Sequence, residues 1–106
     1  MRFEGETLGV VATRSSERLD VRLHGELDMG SCDLLTAVFA AVDLTAVTYM
    51  TVDLEDLESV DSTGVQAFLE VRTRQMQAGR QVQFNRPQPP VQRVFRDLGI
   101  EALLTA

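Results

Sequence analysis

The sequence contains no lysine, one cysteine (Cys32) and one histidine (His24), and ten arginines carry its cationic charge. A lone cysteine closes no intramolecular disulfide, and with a single histidine it cannot supply the ligand cluster of a structural metal site. No metal and no cofactor are expected. No stretch approaches the roughly 18 consecutive apolar residues of a membrane span, and Met1 to Thr7 lacks the apolar centre of a secretion signal. These absences point to a soluble, cytoplasmic protein with no membrane partner. Sixteen carboxylates against ten arginines leave a formal charge of −6. Nucleic-acid binding needs concentrated positive charge instead, so no nucleic-acid partner is expected. The glycine patterns G-x-x-x-x-G-K-[ST] and G-x-G-x-x-G are missing as well, which argues against dedicated nucleotide hydrolysis.

What is present is one domain's worth of chain, 106 residues with 44% apolar composition, enough for a single core spanning about residues 8–104. Leu8 to Ala12 is a short apolar run. Arg18 to His24 alternates, with Leu19, Val21 and Leu23 on one face and Arg18, Asp20, Arg22 and His24 on the other. The polar segment between them predicts an antiparallel hairpin. The period then changes. Leu35, Val38, Phe39 and Val42 fall at i, i+3, i+4 and i+7, with Ser31 as the predicted N-cap and Asp33 in the first turn. Val47 to Leu54 is almost continuously apolar or β-favouring, which predicts a central strand covered on both faces. Val65, Phe68, Leu69, Val71 and Met76 mark the apolar side of a second helix ending at Gly79, with Glu70 and Arg74 spaced to pair on its outside. A short strand, Gln81 to Asn85, precedes a third helix with Val91, Val94, Phe95 and Leu98 on its apolar side. The order β-β-α-β-α-β-α predicts an α/β fold: a mixed sheet with an antiparallel opening hairpin, then parallel β-α units, the helices mainly on one face.

The corner Asp61-Ser62-Thr63-Gly64 joins the central strand to the second helix and presents a serine. Three roles fit it: a helix cap, a nucleophile or phosphate cradle, or a serine whose phosphorylation switches an interface. A nucleophile requires a general base, and His24 at a strand end is the single histidine available. Catalysis is not expected. Capping by Asp61 or Ser62 explains the tetrapeptide taken alone, so the surrounding residues must decide.

Those residues form an ordered set: Gly25-Glu26-Leu27-Asp28 closing the second strand, Val52-Asp53-Leu54 before the corner, the helix ending at Gly79, and Pro90-Val91-Gln92-Arg93-Val94-Phe95 leading to Leu98-Gly99-Ile100. Together they resemble a STAS domain, and more narrowly a stand-alone bacterial anti-sigma factor antagonist, from about Leu8 to Leu104. The resemblance implies a STAS-like fold and a partner-switching phosphoprotein that regulates transcription. The unphosphorylated form binds an anti-sigma factor serine kinase, phosphorylation at Ser62 releases it, and a PP2C-type phosphatase restores it. Thr63 is the second candidate acceptor. Asp28 and Asp61 would flank the site, and Thr63 and Gly64 would shape the helix start. Glu55, Asp56 and Ser59 depart from the family pattern. An alternative carried by the same resemblance is an adaptor subunit of a transporter ATPase or of a stress-signalling scaffold.

Overall fold

The computed structural model describes the backbone of residues 1–105; Ala106, included in the expected domain, lies outside the described residues. Six strands form one sheet in sequential order: β1 (Arg2–Glu4), β2 (Leu8–Ser15), β3 (Arg18–Leu27), β4 (Tyr49–Val60), β5 (Gln81–Asn85) and β6 (Leu104–Thr105). The first three pair antiparallel and the remainder pair parallel. Helices α1 (Cys32–Ala41), α2 (Ser62–Gln77) and α3 (Pro89–Asp97) supply the parallel connections. This is the expected mixed sheet, lengthened at both edges by the short strands β1 and β6.

The helices bury one face of the sheet. Leu8 and Val10 of β2, Leu19, Val21, Leu23 and Leu27 of β3, and Met50, Val52, Leu54 and Leu57 of β4 are almost wholly buried there with Leu35, Val38 and Val65. Phe68 of α2, Phe84 of β5 and Phe95 of α3 form a tilted aromatic cluster with ring centroids 5.2 to 6.4 Å apart. Such offset geometry adds an attractive quadrupole term to the area buried. Two apolar positions in the helical patterns stay outside this core, since Met76 and Leu98 are 50% and 47% exposed. Both stand at helix C-termini, beyond the edge of the packed layer.

The opposite face is not covered by helices, contrary to the expectation for Val47 to Leu54. Thr51 on that face is buried by a polar partner, its hydroxyl donating to Asp20 Oδ1. Tyr49 lies under the Arg18 guanidinium, 5.7 Å from the ring centroid. Arg22 and Arg86 both pair with Asp53, and Arg86 also reaches Glu55. Charged pairs, rather than a second helical layer, shield the middle of this strand.

β4 also runs six residues past the expected end. Its register against β3 slips twice, from Arg22↔Asp53 to His24↔Asp56 and from Gly25↔Leu57 to Glu26↔Ser59. Each slip places one extra residue on β4, as a β-bulge does. The inward positions consequently run Met50, Val52, Leu54, Leu57, Val60, while Glu55, Asp56, Glu58 and Ser59 stay exposed. A second correction concerns the outside of α2, where Glu70 and Arg74 form no ion pair among the described residues.

Candidate functional site

The pairing of β3 with β4 runs out at Leu27↔Val60, and the Asp61 amide donates to the Leu27 carbonyl at 3.2 Å. Two chain segments therefore leave the sheet side by side, each entering a helix within a few residues. Asp28 to Ser31 leads into α1, and Asp61 leads directly into α2.

Asp61 is the N-cap of α2. Its backbone is extended, its Oδ1 accepts from the Gly64 amide at 2.8 Å, and its carbonyl accepts from Val65 at 3.0 Å. A carboxylate at this position satisfies one orphan amide and complements the helix dipole. Ser62 follows as the first helical residue, exposed, and its hydroxyl makes no hydrogen bond among the described residues. Asp61 does the capping, which leaves the serine hydroxyl unengaged. Thr63 is half-buried, and Gly64 is buried. A Cβ on Gly64 would stand 2.6 Å from Val60 Cγ2 and 2.8 Å from the Leu27 carbonyl oxygen. Glycine is required here by close approach: the first turn of α2 rests directly on both strand ends.

Asp28 organises the neighbouring turn. Its Oδ1 accepts from the Gly30 amide at 2.9 Å, and its carbonyl accepts from the amides of Ser31 and Cys32. Ser31 occupies the predicted N-cap position of α1 but does not cap with its side chain. Its hydroxyl instead donates back to the Glu26 carbonyl at 3.0 Å and accepts from the Asp28 amide at 3.0 Å. The serine is 7% exposed and ties the turn to the end of β3 rather than to its own helix.

Cys32 registers how close the two segments lie. Burial pushes its thiol pKa up, and the carboxylates of Asp61, Asp28, Asp33 and Glu70 push it the same way. A protonated thiol in negative surroundings is a poor nucleophile. His24, the other residue weighed for catalysis, lies on the open sheet face, with Nε2 3.4 Å from Glu4 Oε1. No hydrogen bond joins it to Ser62 among the described residues. Asp28, Asp61, Ser62, Thr63 and Gly64 thus share one end of the molecule, and His24 is not part of that group. Sequence reading passed over Met29, at the tip of the Asp28 turn and 75% exposed. A large apolar residue set between Asp28 and Gly30 was the available signal.

A mixed sheet of sequential strands, helices on one face and a helix-capping aspartate followed by a free serine defines a recognisable class. The family described as "Mlab, STAS domain" matches residues 10–105, and the chain belongs to it. Among solved structures, the anti-sigma factor antagonist SpoIIAA in its unphosphorylated form is 27% identical with a TM-score of 0.75, over 91% of this chain and 85% of that one. The phosphorylated form of SpoIIAA, described as a Bacillus cell fate determinant, is 26% identical with a TM-score of 0.66, over 91% and 88%. An anti-sigma factor antagonist from Mycobacterium paratuberculosis has a TM-score of 0.75 over 92% and 83% at 16% identity, a likeness of fold. No curated protein matches the sequence.

Proposed function

We propose that this chain is an anti-sigma factor antagonist that works by partner switching. Unphosphorylated, it binds an anti-sigma factor that is also a serine kinase. That kinase transfers the γ-phosphoryl group of ATP to Ser62 Oγ, the hydroxyl proton leaves, and ADP departs. A PP2C-type phosphatase returns the hydroxyl, water attacking phosphorus and inorganic phosphate leaving. Binding is carried by Asp28, Asp61, Ser62, Thr63 and Gly64, with no catalysis by the chain itself.

The observation that carries this reading is the exposed, unbonded Ser62 hydroxyl on the first turn of α2, beside a cap already supplied by Asp61. The likeness to SpoIIAA, solved in unphosphorylated and phosphorylated forms, supports it. A phosphoryl group adds about −1.5 to −2 charges. At a helix N-terminus the dipole and the free amides of Ser62 and Thr63 tolerate such an anion, so the fold survives. The interface behaves differently, because Asp28 and Asp61 have already made it negative and a buried dianion must be desolvated against the partner. Thr63 is the lesser acceptor because it is half-buried.

Incubation with the cognate kinase and ATP should add one phosphate, seen by intact mass and lost in Ser62→Ala. No addition, or addition unchanged in that variant, would reject the proposal. Recovery of a transporter ATPase in place of a sigma-directed kinase would transfer the reading to the adaptor alternative.

A further inference from the structure

Met29 is the most exposed large apolar side chain of the described residues, at 75%, and its exposure is imposed rather than incidental. The turn that carries it is tied down on both sides. Asp28 Oδ1 holds the Gly30 amide at 2.9 Å, and the Asp28 carbonyl holds the Ser31 and Cys32 amides at 3.1 and 3.0 Å. Buried Ser31 locks the base of the turn to the Glu26 carbonyl. These bonds fix the backbone on either side of Met29 and leave its side chain at the exposed tip of the turn. The turn starts beside the Ser62 corner, because the Asp61 amide is bonded to the Leu27 carbonyl two residues before Met29.

The surroundings add charge of a single sign. Glu26, Asp28, Asp33 and Asp61 border the turn, and no arginine pairs with any of them among the described residues. Protein interfaces concentrate their energy in an apolar anchor seated in a pocket and encircled by polar contacts. A pre-ordered apolar tip needs no ordering on association, which removes part of the entropic cost of binding.

From this arrangement we infer that Met29 is the apolar anchor of the partner interface, entering an apolar pocket bordered by arginine or lysine on the sigma-directed kinase. The inference rests on the partner-switching reading and adds to it the residue that sets affinity and the chemistry of the surface that receives it. Ser62 decides when the complex forms; Met29 determines how tightly.

The four methionines make the test internally controlled, since Met1 and Met76 are 65% and 50% exposed and Met50 is fully buried. Dilute hydrogen peroxide should oxidise Met1, Met29 and Met76 of the free protein to sulfoxides and spare Met50. In the complex with the purified kinase, Met29 oxidation should fall at least fivefold while Met76 is unchanged. Met29→Ala should weaken binding about tenfold, Met29→Asp about a hundredfold, and Met29→Leu should restore it, all with an unchanged melting temperature. A complex in which Met29 oxidises as in the free chain, or in which Met29→Asp binds normally, overturns the inference and leaves the Ser62 switch standing. Failure of the wild-type protein to bind the kinase at all overturns both.

Discussion

The open face of the sheet and the Ser62 end are both rich in carboxylates, yet they use them in opposite ways. On the open face most of the central acids have an arginine: Asp20 with Arg18, Asp53 with Arg22 and Arg86, and Glu55 with Arg86. At the Ser62 end Asp28 and Asp61 bind backbone amides, and no arginine pairs with either among the described residues. The first arrangement is self-sufficient, because its charges are already matched. The second keeps an uncompensated negative field beside an exposed hydroxyl, so one further negative group changes its balance with a partner.

If this contrast governs function, the same charge added at the two places should have different consequences. Ser62→Asp should lower affinity for the kinase about a hundredfold, roughly 2.7 kcal/mol, while Gln81→Glu, at an exposed position on β5, should leave binding unchanged. Titration calorimetry on both variants would decide; equal losses would break the comparison. Next in size comes the corner's packing. Gly64→Ala should cost about 1 to 3 kcal/mol in urea unfolding, because the added methyl meets both the buried Val60 side chain and the unyielding Leu27 carbonyl. Asp61→Ala should then cost about 0.5 to 2 kcal/mol through loss of the cap, whereas Asp61→Asn should keep most of that stability. Reduced partner affinity in the stable Asn variant would separate the acid's charge from its capping.

The open face should give the smallest effects. Arg22→Ala should change stability by no more than about 0.5 kcal/mol, since its pair with Asp53 is solvent-exposed on the arginine side and Arg86 remains in place. Asp20 offers a pH test. Burial pushes its carboxyl pKa up, but hydrogen bonds from Thr51 and Arg18 outweigh burial and hold it below the ordinary range. Its folded-state pKa is thus depressed, so its stabilisation is present above the unfolded value of about 3.9 and is lost as pH falls through the folded value. Asp20→Asn should make the stability curve less steep below about pH 4, and a steeper acid limb would contradict the assignment.

Where the sequence could be read, one residue's environment repeated along an element. Arg18 to His24 alternates because β3 buries one face and wets the other, and the three helices follow from apolar residues at helical spacing. The Asp61 to Gly64 corner was legible because its chemistry is local: a carboxylate, a hydroxyl and a glycine at a helix start. The far half of β4 was not, since two extra residues interrupt its period and leave Glu55, Asp56, Glu58 and Ser59 resembling a loop. Coverage of β4 was misread for a related reason. Thr51 and Tyr49 look like core residues, and the Asp20 and Arg18 that shield them come from the neighbouring strand. Ser31 likewise turned back to Glu26 through a contact that spacing does not announce, and Met29 gave no periodic signal at all.

The two slips of β4 bear on how the corner is aimed. Without one of the two extra residues, between Leu54 and Leu57 or between Leu57 and Val60, the strand would return to plain alternation there, with Val60 still facing the core and still opposite Leu27. Without both, the pairing would run straight to the corner and lose the local bend and added twist that each bulge gives its strand. The two extra residues thus leave untouched which side chains face the core, and act on the direction in which β4 delivers the serine.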